Sequence, residues 1–152
     1  MKRGFTLIEL VIVLGVITIV TAGIMMTMRT NSNRALYNAL RVIQADLQYI
    51  QRRSIIEGRY YEIFFLRFND QYVLRPRGGG TARIRTVYLP RGISFQDIRT
   101  AHHNNIVSYT PRGTPSGGFT IVLENGRYEQ ELTGRVGAGG LTISSRSRIQ
   151  SR

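Results

Sequence analysis

The sequence predicts an α+β chain: a long N-terminal helix, membrane-spanning in its first half, whose second half packs on a mostly antiparallel β-sheet. Residues 5–28 form a 24-residue run in which Glu9 is the only charged residue. Beyond it, Leu36, Leu40, Ile43, Leu47 and Ile50 recur at spacings of four and three, the period of one helix face. From Tyr60 the period falls to two and turn residues multiply. The expected segments are a leader over 1–4, a transmembrane and assembly helix over 5–28, the soluble half of that helix over 29–58, and a β-sheet head over 59–152.

The leader is Met-Lys-Arg-Gly, too short a basic region for an ordinary secretory signal, and the small-residue cleavage site that would follow the apolar run is not evident. Gly4 instead precedes that run. A cut between Gly4 and Phe5 keeps the whole helix and puts a new α-amino group on Phe5, one helical turn from Glu9. A carboxylate and an ammonium are each costly in lipid and tolerable as a pair. Glu9 is also favoured by the positive end of the helix dipole. Its expected partner is Phe5 of its own chain or of a neighbouring subunit. At about 1.5 Å per residue the run is roughly 36 Å long, enough for a hydrocarbon core of about 30 Å. Cations flank both of its ends, Lys2 and Arg3 on one side and Arg29 and Arg34 on the other, so charge alone does not orient it.

No proline occurs before Pro76, so one helix is expected from Phe5 to Glu57, with Gly58 as its stop. Asn31-Ser32-Asn33 is the expected place for a bend or break. Asn38, Arg41, Ala45, Gln48 and Arg52 fall on the wetter face, and Arg53 and Glu57 are spaced as an i,i+4 ion pair. Strands are expected over 60–68, 71–75, 82–89, 93–98, 105–110, 119–123, 127–133 and 141–145. Asn125-Gly126 between the sixth and seventh predicts a type I′ hairpin turn.

The stretch Gly4-Phe5-Thr6-Leu7-Ile8-Glu9 resembles the type IV prepilin motif shared by type IV pilins and type II secretion pseudopilins. Short matches farther on resemble the GspH/FimT group of minor pilins; they include Asn69-Asp70-Gln71-Tyr72, Leu89-Pro90-Arg91-Gly92-Ile93, Tyr109-Thr110-Pro111-Arg112-Gly113 and Gly134-Arg135-Val136. The resemblance implies a pilin fold and a non-enzymatic minor subunit of a pilus or secretion filament. It implies cleavage by a prepilin peptidase after Gly4, methylation of the Phe5 amine, and Glu9 as the residue that registers an incoming subunit. Expected partners are other pilin subunits, the peptidase, an inner-membrane assembly platform and membrane lipid. The expected location is a single pass of the inner membrane, N-terminus cytoplasmic, and then a filament. A self-sufficient major pilin is the weaker alternative.

Composition adds a second binding reading. The formal charge is +12, from 21 basic and 9 acidic residues; without Lys2 and Arg3 it is 19 against 9, or +10, and every remaining cation is arginine. Arginine binds phosphate through a bidentate fork. Arg135, Arg146, Arg148 and Arg152 are the candidate DNA-binding residues of a subunit acting in DNA uptake. Competence-associated members of the resembled group bind DNA through a C-terminal Gly-Arg-x-Arg motif; this chain keeps Gly134 and Arg135 but has Gly137 in the last position. There is no cysteine to form a disulfide. No cofactor or metal is expected: adjacent His102-His103 lacks the spacing of a chelating pair, and the glycines around 134–140 are not followed by a helix as a phosphate loop requires.

Overall fold

Helix α1 runs over Leu7–Glu57 and ends where Gly58 takes a left-handed backbone conformation, φ +61°. The Arg59 N–H then donates to the Ser54 carbonyl at 3.2 Å, closing the last turn as a Schellman cap. The computed structural model describes residues 7–78, 82–102, 104–136 and 140–146, without the side chains of 21–32 and 145–146. The helix is unbroken through Asn31–Asn33, the expected place for a bend or break. By contacts the chain divides into two units, Met1–Arg34 and Ala35–Arg152.

Eight strands follow: β1 Tyr61–Leu66, β2 Gln71–Pro76, β3 Arg85–Tyr88, β4 Ser94–Thr100, β5 Ile106–Tyr109, β6 Phe119–Glu124, β7 Glu129–Gly134 and β8 Leu141–Arg146. They form two four-stranded sheets, ordered β3-β2-β1-β5 and β4-β6-β7-β8, and every pairing is antiparallel. The chain therefore enters the second sheet for β4, returns for β5 and leaves again for β6. Strand periodicity carries no sign of that division.

The first crossing is stitched by two charged residues of the β1–β2 connection. The expected strand over 60–68 stops at Leu66, and Arg67–Asn69 form a 3₁₀ turn closed by Asp70 at φ +46°. The Arg67 guanidinium donates to the carbonyls of Phe95 (3.3 Å) and Gln96, where β4 shifts register between Phe95 and Asp97. The Asp70 carboxylate accepts the Phe95 N–H at 3.0 Å, and its carbonyl accepts the Leu89 N–H at 2.8 Å. A bulge exposes backbone groups that the ladder does not satisfy, and these side chains satisfy them.

The core lies between α1 and both sheets. Leu36, Leu40, Ile43, Leu47 and Ile50 are all fully buried, and they cluster with Ile63, Phe65, Tyr72, Leu74, Ile121, Leu123 and Leu132. The predicted wet face, from Asn38 to Arg52, is exposed. Phe65 stacks edge-on against Phe95 of the other sheet at 5.7 Å between ring centres. Gly134 serves packing: opposite Phe119 in the β6–β7 ladder, a Cβ there would sit 2.4 Å from the Phe119 ring.

The β6–β7 turn differs from expectation. Only Gly126 has a positive φ, whereas a type I′ turn needs one at Asn125 as well. The loop is longer, Asn125 to Tyr128, because the Asn125 side-chain oxygen accepts the N–H groups of Arg127 (3.1 Å) and Tyr128 (3.0 Å). This Asx-type capping competes with the tight hairpin and prevails.

Burial sets two outcomes for the head, residues 35–152. Tyr72 donates to the Asp46 carboxylate at 2.6 Å. Tyr72→Phe is expected to cost about 1–3 kcal/mol by leaving a buried carboxylate short of a partner. Gly134→Ala is expected to cost about 1–3 kcal/mol by overpacking. Urea denaturation measures both. Desolvation pushes the Tyr109 hydroxyl up to about 12; Tyr72 is also raised, by burial first and by the bond to Asp46 second. The unfolded chain releases those protons near pH 10 while the folded head retains them. Stability is therefore complete below about pH 10 and lost as pH rises toward about 12. Tyr109→Phe should remove part of that alkaline loss, read as Tm against pH.

Candidate functional site

The N-terminal half of α1 has no polar side. From Leu7 to Val20, eleven large aliphatic side chains are exposed by 45–82%. A helix apolar all round needs an apolar surrounding. Thr18 fits such a place, because its hydroxyl bonds within the helix to the carbonyls of Leu14 (2.6 Å) and Gly15 (3.0 Å). Glu9, in the first turn of α1, is exposed among these side chains, and no described cation pairs with it. Gly4 and Phe5, where cleavage and methylation were expected, lie outside the described residues. Among the described residues no helix is long and apolar enough to cross a membrane. The expected span over 5–28 begins before the described residues, and its side chains from 21 onward are not described.

In the head, the strand register decides how the candidate arginines stand. Arg135 follows Gly134, which pairs with Leu141, and is exposed; Arg146 pairs with Glu129 at the other end of the same ladder. Five residues of strand separate Leu141 from Arg146, about 17 Å at the usual rise. Arg135 and Arg146 thus mark opposite ends of the β7–β8 ladder. Arg148 and Arg152 lie outside the described residues.

Several other arginines are already engaged. Arg53 pairs with Glu57 at 2.6 Å, as its spacing predicted, and Arg75 with Glu62 at 2.7 Å. Glu57 also accepts the Tyr61 hydroxyl; that bond first and Arg53 second hold its carboxyl below the usual carboxylate range. Arg41 lies over the Tyr37 ring and Arg77 over the Tyr60 ring, at 5.5 and 5.7 Å. These cation–aromatic pairs keep the guanidinium in water and cover the ring with its face.

One constellation was not found from the sequence. Asp46, 5% exposed, lies beside the apolar stripe and is held by the Tyr72 hydroxyl and by the guanidinium of Arg85. The charge of Arg85 faces Asp46. The only sequence signal was an acidic residue one position off the core face. Its partners are 26 and 39 residues away, beyond any local pattern. Among the described residues no three His, Asp or Glu side chains gather as a metal site needs.

Residues 1–25 match the family described as the prokaryotic N-terminal methylation motif. The fold is similar to the type IV minor pilin FimU of Pseudomonas aeruginosa, with a TM-score of 0.59 and 16% identity, covering 78% of this chain and 97% of that one. It is also similar to the minor pseudopilin EpsH of the Vibrio cholerae type 2 secretion system, with a TM-score of 0.57 and 12% identity, covering 73% of this chain and 96% of that one. No curated protein sequence matches. At such identities the shared property is the fold, a long helix with antiparallel sheets packed on it. The chain thus joins the prokaryotic N-terminal methylation motif to the fold of type IV minor pilins and type II secretion pseudopilins.

Proposed function

We propose that this chain is a minor pilin or pseudopilin, a non-enzymatic subunit of a type IV pilus or type II secretion-like filament. The observation that carries this reading is the methylation motif at the head of a helix that is apolar on every side through Val20. Such a helix is stable in two surroundings, a bilayer before assembly and a bundle of like helices afterwards. The similarity in fold to FimU and EpsH supports the same role. A prepilin peptidase cuts between Gly4 and Phe5 and methylates the Phe5 amine. Glu9, one turn from that amine, pairs with it in the apolar filament interior, where an unpaired charge costs several kcal/mol. Gly4→Ala is expected to abolish trimming, seen by mass spectrometry as retention of the four leader residues. Glu9→Gln is expected to be trimmed normally yet absent from sheared filaments. Trimming of the Gly4→Ala protein before Phe5 would show the peptidase assignment to be wrong.

A second reading makes the same subunit a receptor for DNA. The mature charge of +10 and the exposed Arg135 support it. With Arg135 and Arg146 at opposite ends of the β7–β8 ladder, the contacts are separate phosphates along a backbone and not one binding pocket. Each lost contact should then lower the salt slope of binding by about one. The measurement is anisotropy of labelled duplex DNA with residues 35–152, in a salt series, beside the Arg135→Gln/Arg146→Gln/Arg148→Gln variant. Salt-steep binding that collapses in the variant supports DNA capture. Absence of binding by the folded head at low salt removes this reading and leaves filament architecture.

A further inference from the structure

Phe68 is 99% exposed, yet the turn that presents it is fixed. Arg67 on one side is bonded to the carbonyls of Phe95 and Gln96; Asp70 on the other is bonded to the N–H groups of Phe95 and Leu89. The ring cannot fold back onto the core without breaking those bonds. Tyr88, 70% exposed, stands next to the turn, since its backbone pairs with Gln71 at the start of β2. It belongs to β3, the edge strand of its sheet. Behind it a mostly apolar groove of about 340 Å³ runs between β3 and the Ala35–Val42 stretch of α1, lined there by Val87, Leu89 and Pro90. Arg91, next in the chain, is exposed, and among the described residues no carboxylate pairs with it.

This rim lies at the end of the head where the chain leaves toward the apolar run, because Ala35 lines the same groove as Tyr88. Seven residues separate Ala35 from Met28, the end of that run. Even fully extended they reach only about 25 Å. That connection limits how far the Ala35 end of the groove can lie from the end of the apolar run.

We propose that, in the membrane-anchored precursor, Phe68 and Tyr88 dip into the interfacial layer of an anionic phospholipid bilayer while Arg91 binds lipid phosphate. The proposal rests on the anchored-precursor reading given above. Aromatic side chains favour the head-group level, where an apolar ring meets a wet boundary. Arginine suits a phosphate through its planar fork. The groove behind the rim lets the edge of the head seat on lipid and later release it to a neighbouring subunit.

The chain contains no tryptophan, so one introduced residue is a clean reporter. Phe68→Trp replaces a fully exposed ring and leaves the core intact. Ile56→Trp, at a position 83% exposed in the last turn of α1, is the control, about 30 Å along the helix from Ala35. Full-length protein is reconstituted into phosphatidylglycerol/phosphatidylethanolamine vesicles with plain or brominated acyl chains, and flotation reports anchoring independently. The expected result is blue-shifted emission from the Phe68→Trp reporter, at least halved by brominated lipid and restored toward the control by Arg91→Glu, while the Ile56→Trp reporter is unaffected. Floating protein whose two reporters behave alike overturns the rim contact and leaves the anchor standing. A blue shift without quenching places another subunit on the rim and also overturns it. Protein that fails to float overturns the anchor and the contact together.

Discussion

The head depends on one stripe of α1. Leu36, Leu40, Ile43, Leu47 and Ile50 have no exposure at all, and each gains about 1.5–3 kcal/mol by leaving water. Against a net stability of about 5–15 kcal/mol for an ordinary domain, losing any one of them is a large change. Both sheets contribute to the cluster around the stripe. Arg67 and Asp70 then hold the sheets in register by satisfying the backbone at the β4 bulge.

Beside that stripe sits a charge. Asp46 is buried and bound on both oxygens, by Tyr72 and by Arg85. Breaking a buried pair costs more than the pair itself contributes, so such a group specifies an arrangement more than it adds stability. Arg85 comes from the edge strand β3, and its bond to α1 fixes that edge against the helix. The groove beyond it lies between that edge and the Ala35–Val42 stretch of α1.

The two halves of α1 solve opposite problems with one backbone. From Leu7 to Val20 the helix shows aliphatic side chains on every face; from Leu36 to Ile50 it shows them on one. The first pattern suits a medium without water, the second a sheet on one side and solvent on the other. Both are consistent with a subunit that begins in a bilayer and ends among the helices of a filament. The arginine excess is partly engaged: among the described residues Arg53, Arg75, Arg85 and Arg99 pair with carboxylates, and Arg41 and Arg77 lie over aromatic rings.

The N-terminal methylation motif, the end of α1 at Glu57, its buried and wet faces, the Arg53–Glu57 pair and the approximate position of every described strand were legible in the sequence. Each is set by neighbours within a few residues, through period, capping and turn chemistry. What only the tertiary structure decided involves pairing across distance: the split into two sheets, the burial of Asp46, the separation of Arg135 from Arg146 and the pinning of the Phe68 turn. The Asn125 turn is the instructive intermediate, a local motif whose side chain had two local options. Periodicity records which face of an element is dry. It does not record which element dries it, because that choice depends on the summed burial and hydrogen bonding of segments far apart in the chain.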